Sequence, residues 1–162
     1  MKRRNKKTSL FSLMDELMAS ATEPMPKAKQ QYQLTRMYQG LHALEAEPNP
    51  KMDDWRAVTD AINLMEAMVR DMKICEDNSG LLNDATKALK DAAIRYKAGQ
   101  ALRLNATGIH AVRAVLEDYA AMLAILPHRA VVNCYRITEK RILEINSGKM
   151  QAHDVILRNQ PI

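Results

Sequence analysis

The chain has 162 residues, 47% of them hydrophobic and 27% charged, which is the size and the composition of one globular domain. It contains eleven Met but a single Phe and a single Trp, and because strands favour aromatic and β-branched residues, this composition favours helices over a sheet. Cys75 and Cys134 stand alone, without a C-x-x-C pattern, which argues against a disulfide scaffold and a zinc finger.

The excess positive charge is confined to the first seven residues. The net charge of the chain is +5, and outside residues 1–7 the basic and acidic side chains balance. Such a segment gains affinity for a polyanion by releasing condensed counterions. We therefore predict a flexible basic arm over residues 1–7, which either contacts nucleic acid or only keeps the chain soluble. Its candidate nucleic-acid contacts are Lys2, Arg3, Arg4, Lys6 and Lys7.

Residues 8–20 are predicted to form a short amphipathic helix, capped by Thr8 or Ser9. The two prolines within residues 21–27 cannot continue it and indicate a linker. A short tethered helix must bury its apolar side chains against something. The sequence leaves open whether they pack on the same chain, on a second copy in a homodimer, or on another protein. The candidate partner-binding residues are Leu10, Leu13, Met14 and Leu17.

Residues 28–148 are predicted to form a helical bundle, followed by a tail over residues 149–162. Apolar residues at helical spacing, with Pro, Gly and Asn at the breaks, predict five helices. They cover residues 28–46, about 52–72, 83–99, about 105–126 and 127–146. Because the last two helices are joined directly at Pro127, we expect them to form an antiparallel hairpin. The predicted fold is thus all-α, a single-domain bundle of five to six helices with a long C-terminal antiparallel helix hairpin.

A basic stripe runs along the last predicted helix. At 100° per residue its four members fall within about 60° of each other, opposite the apolar face. Arg and Asn are side chains that read base edges, and a helix can enter the major groove, so we interpret the stripe as a candidate nucleic-acid surface. The alternative is an ordinary charged helix face exposed to solvent. The members are Arg129, Asn133, Arg136 and Lys140.

No pattern in the sequence predicts catalysis. A Gly-rich phosphate loop, a serine nucleophile elbow and a carboxylate pair are all missing from it. None of the four histidines (His42, His110, His128, His153) belongs to a Glu-x-x-His or His-Glu-x-x-His motif. The pair His153-Asp154 lacks recognisable further ligands. We therefore expect no catalytic residue, no metal site and no cofactor, and a protein that is not an enzyme.

The N-terminal segment does not have the pattern of a signal peptide. Its apolar stretch is interrupted by Ser12 and closed by Asp15 and Glu16, which makes it too short for the apolar region of such a peptide. No stretch has the length of a membrane span. The expected location is the cytoplasm, with no membrane partner.

Three stretches of the chain resemble uncharacterised helical proteins of prophages and plasmids in Gram-negative bacteria. They are RRNKKTSLF (residues 3–11), TRMYQGL (35–41) and AVRAVLEDY (111–119). The resemblance implies an accessory role, either in regulating the genes of the element or in blocking a host system. The sequence therefore supports a nucleic-acid-associated regulator, and as the alternative a protein-binding inhibitor or adaptor that acts by surface occlusion.

Overall fold

Six α-helices follow one another along residues 11–149, the part of the chain that the computed structural model describes. Their bounds are α1 Leu13–Met18, α2 Lys27–Ala46, α3 Met52–Glu66, α4 Leu82–Lys97, α5 Ala106–Ile125 and α6 His128–Asn146. Residues 11–149 contain no strand, so the predicted all-α single domain is confirmed. Within the same residues, none of the helices is both long and apolar enough to cross a membrane.

Helix α3 lies at the centre of the bundle, where it contacts α2, α4, α5 and α6. The predicted apolar stripe of this helix is confirmed, because Val58, Ile62 and Met65 are buried completely. Trp55, at its start, donates a hydrogen bond of 3.0 Å from its indole nitrogen to the carbonyl oxygen of Leu89 on α4. The position of α3 thus determines where four other helices can pack.

The closest approach of α2 and α3 depends on Gly40. A Cβ atom at this position would lie 2.5 Å from the backbone oxygen of Asp54 and 3.3 Å from a methyl group of Val58. Glycine in the middle of a helix weakens it by about 1 kcal/mol relative to alanine, so its presence needs a reason. Here the reason is contact between the two helix backbones, which no other residue type allows.

Helix α3 continues into a π-helical turn, Ala67–Asp71, where a buried carboxylate meets two arginines. Glu66 is 3% exposed and accepts a 2.8 Å hydrogen bond from Arg70 on the same helix. Arg141 of α6 lies 4.0 Å from the other oxygen of Glu66 and also pairs with Asp71. Burial raises the pKa of Glu66, and the two arginines oppose that rise. The cluster therefore links α6 to the end of α3.

Helix α1 is shorter than predicted, and its cap is different. It begins at Leu13, and Ser12 rather than Thr8 or Ser9 is its N-cap residue. The hydroxyl of Ser12 accepts from the backbone nitrogen of Asp15, while the Asp15 carboxylate accepts from the backbone nitrogen of Ser12. This reciprocal capping box satisfies two free donors and so defines the start of the helix. Residues 8–10 lie outside the described residues.

The predicted hairpin of the last two helices is not confirmed. Helix α5 packs mainly on α4 and α3, and α6 packs on α3, on the π turn and on α1. Leu126 and Pro127, which join α5 to α6, have extended backbone conformations, so α6 does not continue the direction of α5. The linker occupies this junction, because the backbone nitrogens of His128 and Arg129 donate to the carbonyl oxygens of Glu23 and Ser20. These bonds satisfy free donors at the start of α6.

We predict that Gly40→Ala destabilises the protein by about 1–3 kcal/mol, because the added methyl group overpacks the contact with α3. Alanine is the better helix former by about 1 kcal/mol, so a net loss isolates the steric effect. Urea unfolding measures the free energy. The control is Gln39→Ala at the exposed neighbouring position, for which the change should stay within about 0.5 kcal/mol. Equal stability of the two variants would contradict the prediction.

Candidate nucleic-acid interface

Helix α1 is attached to the bundle through its polar side. Arg136 of α6 donates from Nη2 and Nε to one oxygen of Glu16, at 2.7 and 3.0 Å, and from Nη1 to Glu139 at 2.8 Å. On the same side of α1, Asp15 pairs with Lys29 of α2. Lys29 and the Ser12 backbone lower the pKa of Asp15 far below its usual range. Two ion pairs thus hold a helix that has no buried residue of its own.

Buried residues on both sides of α1 anchor this segment. Phe11 before the helix and Ala19 after it are almost fully buried. The ring of Phe11 meets Tyr135 edge-on at 5.3 Å between centroids and lies 5.9 Å from His128. Arg129 donates to the carbonyl oxygen of Ala19 at 3.2 Å. The N-terminal segment is therefore fixed against the first half of α6.

Phe11, which packs on α6, follows the last residue of the basic arm by four positions. Lys7 precedes Phe11 by four residues and Lys2 by nine, so in any conformation they lie within about 14 and about 32 Å of it. The arm residues themselves are outside the described residues. Phe11 therefore links the arm to α6 through a short stretch of chain, although the arm and the basic stripe are more than 120 residues apart in the sequence.

The four residues of the stripe have different surroundings. Asn133 and Lys140 are exposed, and Arg129 is exposed apart from its bond to Ala19. Arg136 is half-buried, and the carboxylates of Glu139 and Glu16 raise its pKa. A guanidinium held by two carboxylates is not available to read a base edge without first losing them. Arg136 is therefore a structural residue that positions α1, and the other three form the accessible part of the stripe.

The apolar face of α1 points away from the bundle. Leu13, Met14, Leu17 and Met18 are 69%, 65%, 68% and 75% exposed. Three of them are candidate partner-binding residues from the sequence, whereas Leu10 lies outside the described residues. At helical spacing these four residues cover one side of the helix, and Asp15 and Glu16 cover the other. The helix is thus inverted relative to an ordinary surface helix, whose polar side faces water.

The histidines do not converge on one site in the described part of the chain. His42 and His110 are exposed on α2 and α5, whereas His128 is buried beneath Phe11. His153 lies outside the described residues. Among residues 11–149 no group of three or more His, Cys, Asp or Glu side chains could hold a metal ion.

The sequence analysis did not predict the ion pairs of Glu66 and of Glu16. Glu66 follows Met65 within the apolar stripe of α3 and stands four residues before Arg70, a spacing at which two charges meet on a helix. That pattern was a readable signal of a buried ion pair. The pairing of Glu16 with Arg136 had no such signal, because 120 residues separate them.

Comparison with known proteins identifies no relative of this chain. No family model, no curated protein and no solved structure matches the chain. The function must therefore be argued from the residues themselves.

We predict that acid destabilises the protein through His128. Its Nε2 is buried without a hydrogen-bond partner in the described structure, and burial and the nearby Lys29 charge lower its pKa, opposed by Asp15. A lowered folded pKa means that the unfolded chain takes up the proton first. The stability that neutral His128 contributes is therefore fully present above the unfolded histidine pKa of about 6.5, and it is lost as the pH falls below that value.

The measurement is the free energy of urea unfolding at pH about 7.5 and about 5.5, on either side of the histidine pKa. The free energy of unfolding should decrease less between the higher and the lower pH in His128→Gln than in the unmodified chain. The control is His42→Gln on the exposed side of α2, which should keep that decrease. The same pH dependence in all three proteins would contradict a role for His128.

Proposed function

We propose that this protein is a non-enzymatic, nucleic-acid-associated accessory protein of a mobile genetic element, acting in the cytoplasm. The observation that supports the proposal is the burial of Phe11 against Tyr135 and His128 of α6, because Phe11 follows the arm by four residues and α6 bears the basic stripe. The arm supplies five positive charges and α6 adds Arg129 and Lys140. Together the arm and α6 carry seven positive charges that can pair with a polyanion.

The two parts of this surface have different tasks. The charges of the arm provide attraction that does not depend on sequence, since contacts with phosphates carry no base information. Discrimination falls to the exposed face of α6, where Asn133 and Arg129 are side chains of the kind that bind adenine and guanine edges. Arg136 is not part of this task, because it holds α1. The resemblance to prophage and plasmid proteins implies an accessory role, either in regulating the genes of the element or in blocking a host system.

The test is fluorescence anisotropy with labelled duplex DNA and single-stranded RNA over a series of salt concentrations. Deleting residues 2–7 should reduce the slope of log K against log salt by about 4.5 on duplex DNA, or about 3.5 on a single strand, if all five charges contact phosphates. Lys140→Ala should reduce it by about 1, because one contact is lost.

The matched control is Lys87→Ala, an exposed lysine on α4, which should leave affinity and slope unchanged. Failure of the full chain to bind either nucleic acid at low salt would overturn the proposal. Binding that is unaffected by removal of the arm would overturn the role given to the arm.

A second candidate function is a protein-binding adaptor or inhibitor that acts by surface occlusion. One side of α2 favours it, because six neighbouring residues form an open face there without an acidic or a basic side chain other than histidine. Protein interfaces are depleted of charge at their centre and enriched in tyrosine. The residues are Gln31, Leu34, Thr35, Tyr38, Gln39 and His42.

We expect a protein partner bound to this face of α2 to be lost on Gln39→Arg, because the substitution introduces a positive charge into it. A pull-down from the host that returns one stoichiometric partner with the unmodified chain, and none with this variant, would support the adaptor. The control is Gln100→Arg, at an exposed position after α4, which should retain the partner. Retention by both variants would exclude this face.

A further inference from the structure

We propose that the outward face of α1 (Leu13, Met14, Leu17 and Met18) is the contact of a symmetric homodimer. Every residue of this face is apolar, and each is about two-thirds exposed. The proposal goes beyond nucleic-acid binding and does not rest on it, because the face contains no group that recognises a phosphate or a base.

The attachment of α1 explains why this face remains outward. Rolling the helix to bury its apolar side would separate Glu16 from Arg136 and Asp15 from Lys29. It would also strain the anchors at both ends, since Phe11 and Ala19 are already buried. The bundle therefore holds α1 by its charged side and presents the other side to a partner.

The area of the face fits a second copy. Four side chains of this size and exposure present roughly 500 Å² per copy, within the range at which the largest apolar patch of a monomer is often functional. Pairing two copies removes at most about 1,000 Å² from water when both faces are covered completely, which is the lower limit for a biological interface and fits a reversible dimer. A two-fold axis through α1 would account for the whole area with one kind of surface.

The chemistry of the face also fits itself. Leu13 and Leu17 form one row along the helix and Met14 and Met18 a second, each at a spacing of four residues. Two such faces interlock without bringing a charge out of water, because Asp15 and Glu16 lie on the far side and are already paired. Methionine, with its flexible unbranched side chain, fills the irregular gaps that two short helices leave.

The test is sedimentation equilibrium of the full chain over a range of concentrations, without nucleic acid. The expected result is a reversible dimer of twice the chain mass. Leu17→Glu should raise its dissociation constant by at least about 30-fold, the effect of losing a central interface residue. Sulfate should strengthen the dimer, because it favours apolar burial.

The matched control is Ile94→Glu, which introduces the same charge at an exposed apolar residue of α4 and should leave the dimer intact. Circular dichroism of both variants checks that they fold, which is expected because both side chains are exposed. Deleting residues 2–7 should leave the dimer unchanged, so the failure of this proposal and the failure of nucleic-acid binding are separate results.

Three outcomes would overturn the proposal. The first is a monomer at all concentrations, or a dimer that Leu17→Glu does not weaken. The second is a monomer that dimerises only after removal of residues 150–162, which would assign the face to the apolar run Val155, Ile156 and Leu157 of the same chain. The third is a monomer that binds phosphatidylserine vesicles and loses this binding on Leu17→Glu, which would assign the face to a lipid surface.

Discussion

The structure depends on the burial of α3 on most of its sides. Four helices share its surface, so each of them must present a matching stripe, and two of these contacts depend on particular residues. Gly40 lets α2 reach the α3 backbone, and the Glu66 cluster at the π turn receives Arg141 from α6. The positions of α2 and α6 are therefore set by α3, and these two helices in turn supply Lys29 and Arg136, which hold α1.

The N-terminal segment follows a different physical rule from the rest of the chain. The bundle is stabilised by apolar burial, whereas α1 contributes no buried residue. It is attached by its ion pairs and by the buried residues Phe11 and Ala19 on either side of it. Exposed ion pairs contribute at most about 1 kcal/mol each, so the anchors carry most of the attachment. This arrangement leaves the apolar face of α1 exposed to solvent.

Much of the fold could be predicted from the sequence, because α2 to α6 have regular apolar stripes and Pro or Asn at their ends. The start of α1 was wrong because three hydroxyl residues compete as caps, and only the capping box of Ser12 with Asp15 decides between them. The hairpin was expected because a proline junction indicates a tight turn. The sequence does not show that the linker binds there instead, since contacts such as His128 with Glu23 join distant residues.

Contacts between residues that are distant in the sequence also limited the prediction of the candidate site. The spacing of Arg129, Asn133, Arg136 and Lys140 was correct for one helix side, but the environment of each residue depends on α1. Local periodicity predicts the side of the helix on which Arg136 lies, but it does not predict the ion pair with Glu16, which is 120 residues away in the sequence. The candidate site was therefore predicted as a set of residues, and the structure divides it into a structural arginine and an accessible remainder.

The bonds between the linker and the start of α6 have a consequence for folding during synthesis. The chain emerges N-terminus first, but Ser20, Glu23 and Ala19 bond to residues that follow more than one hundred positions later. Contacts of such high sequence separation form late, because a long loop must close before they contribute. Helices α2, α4 and α5 can pack around α3 earlier, whereas the N-terminal segment can pack only after α6 has been synthesised.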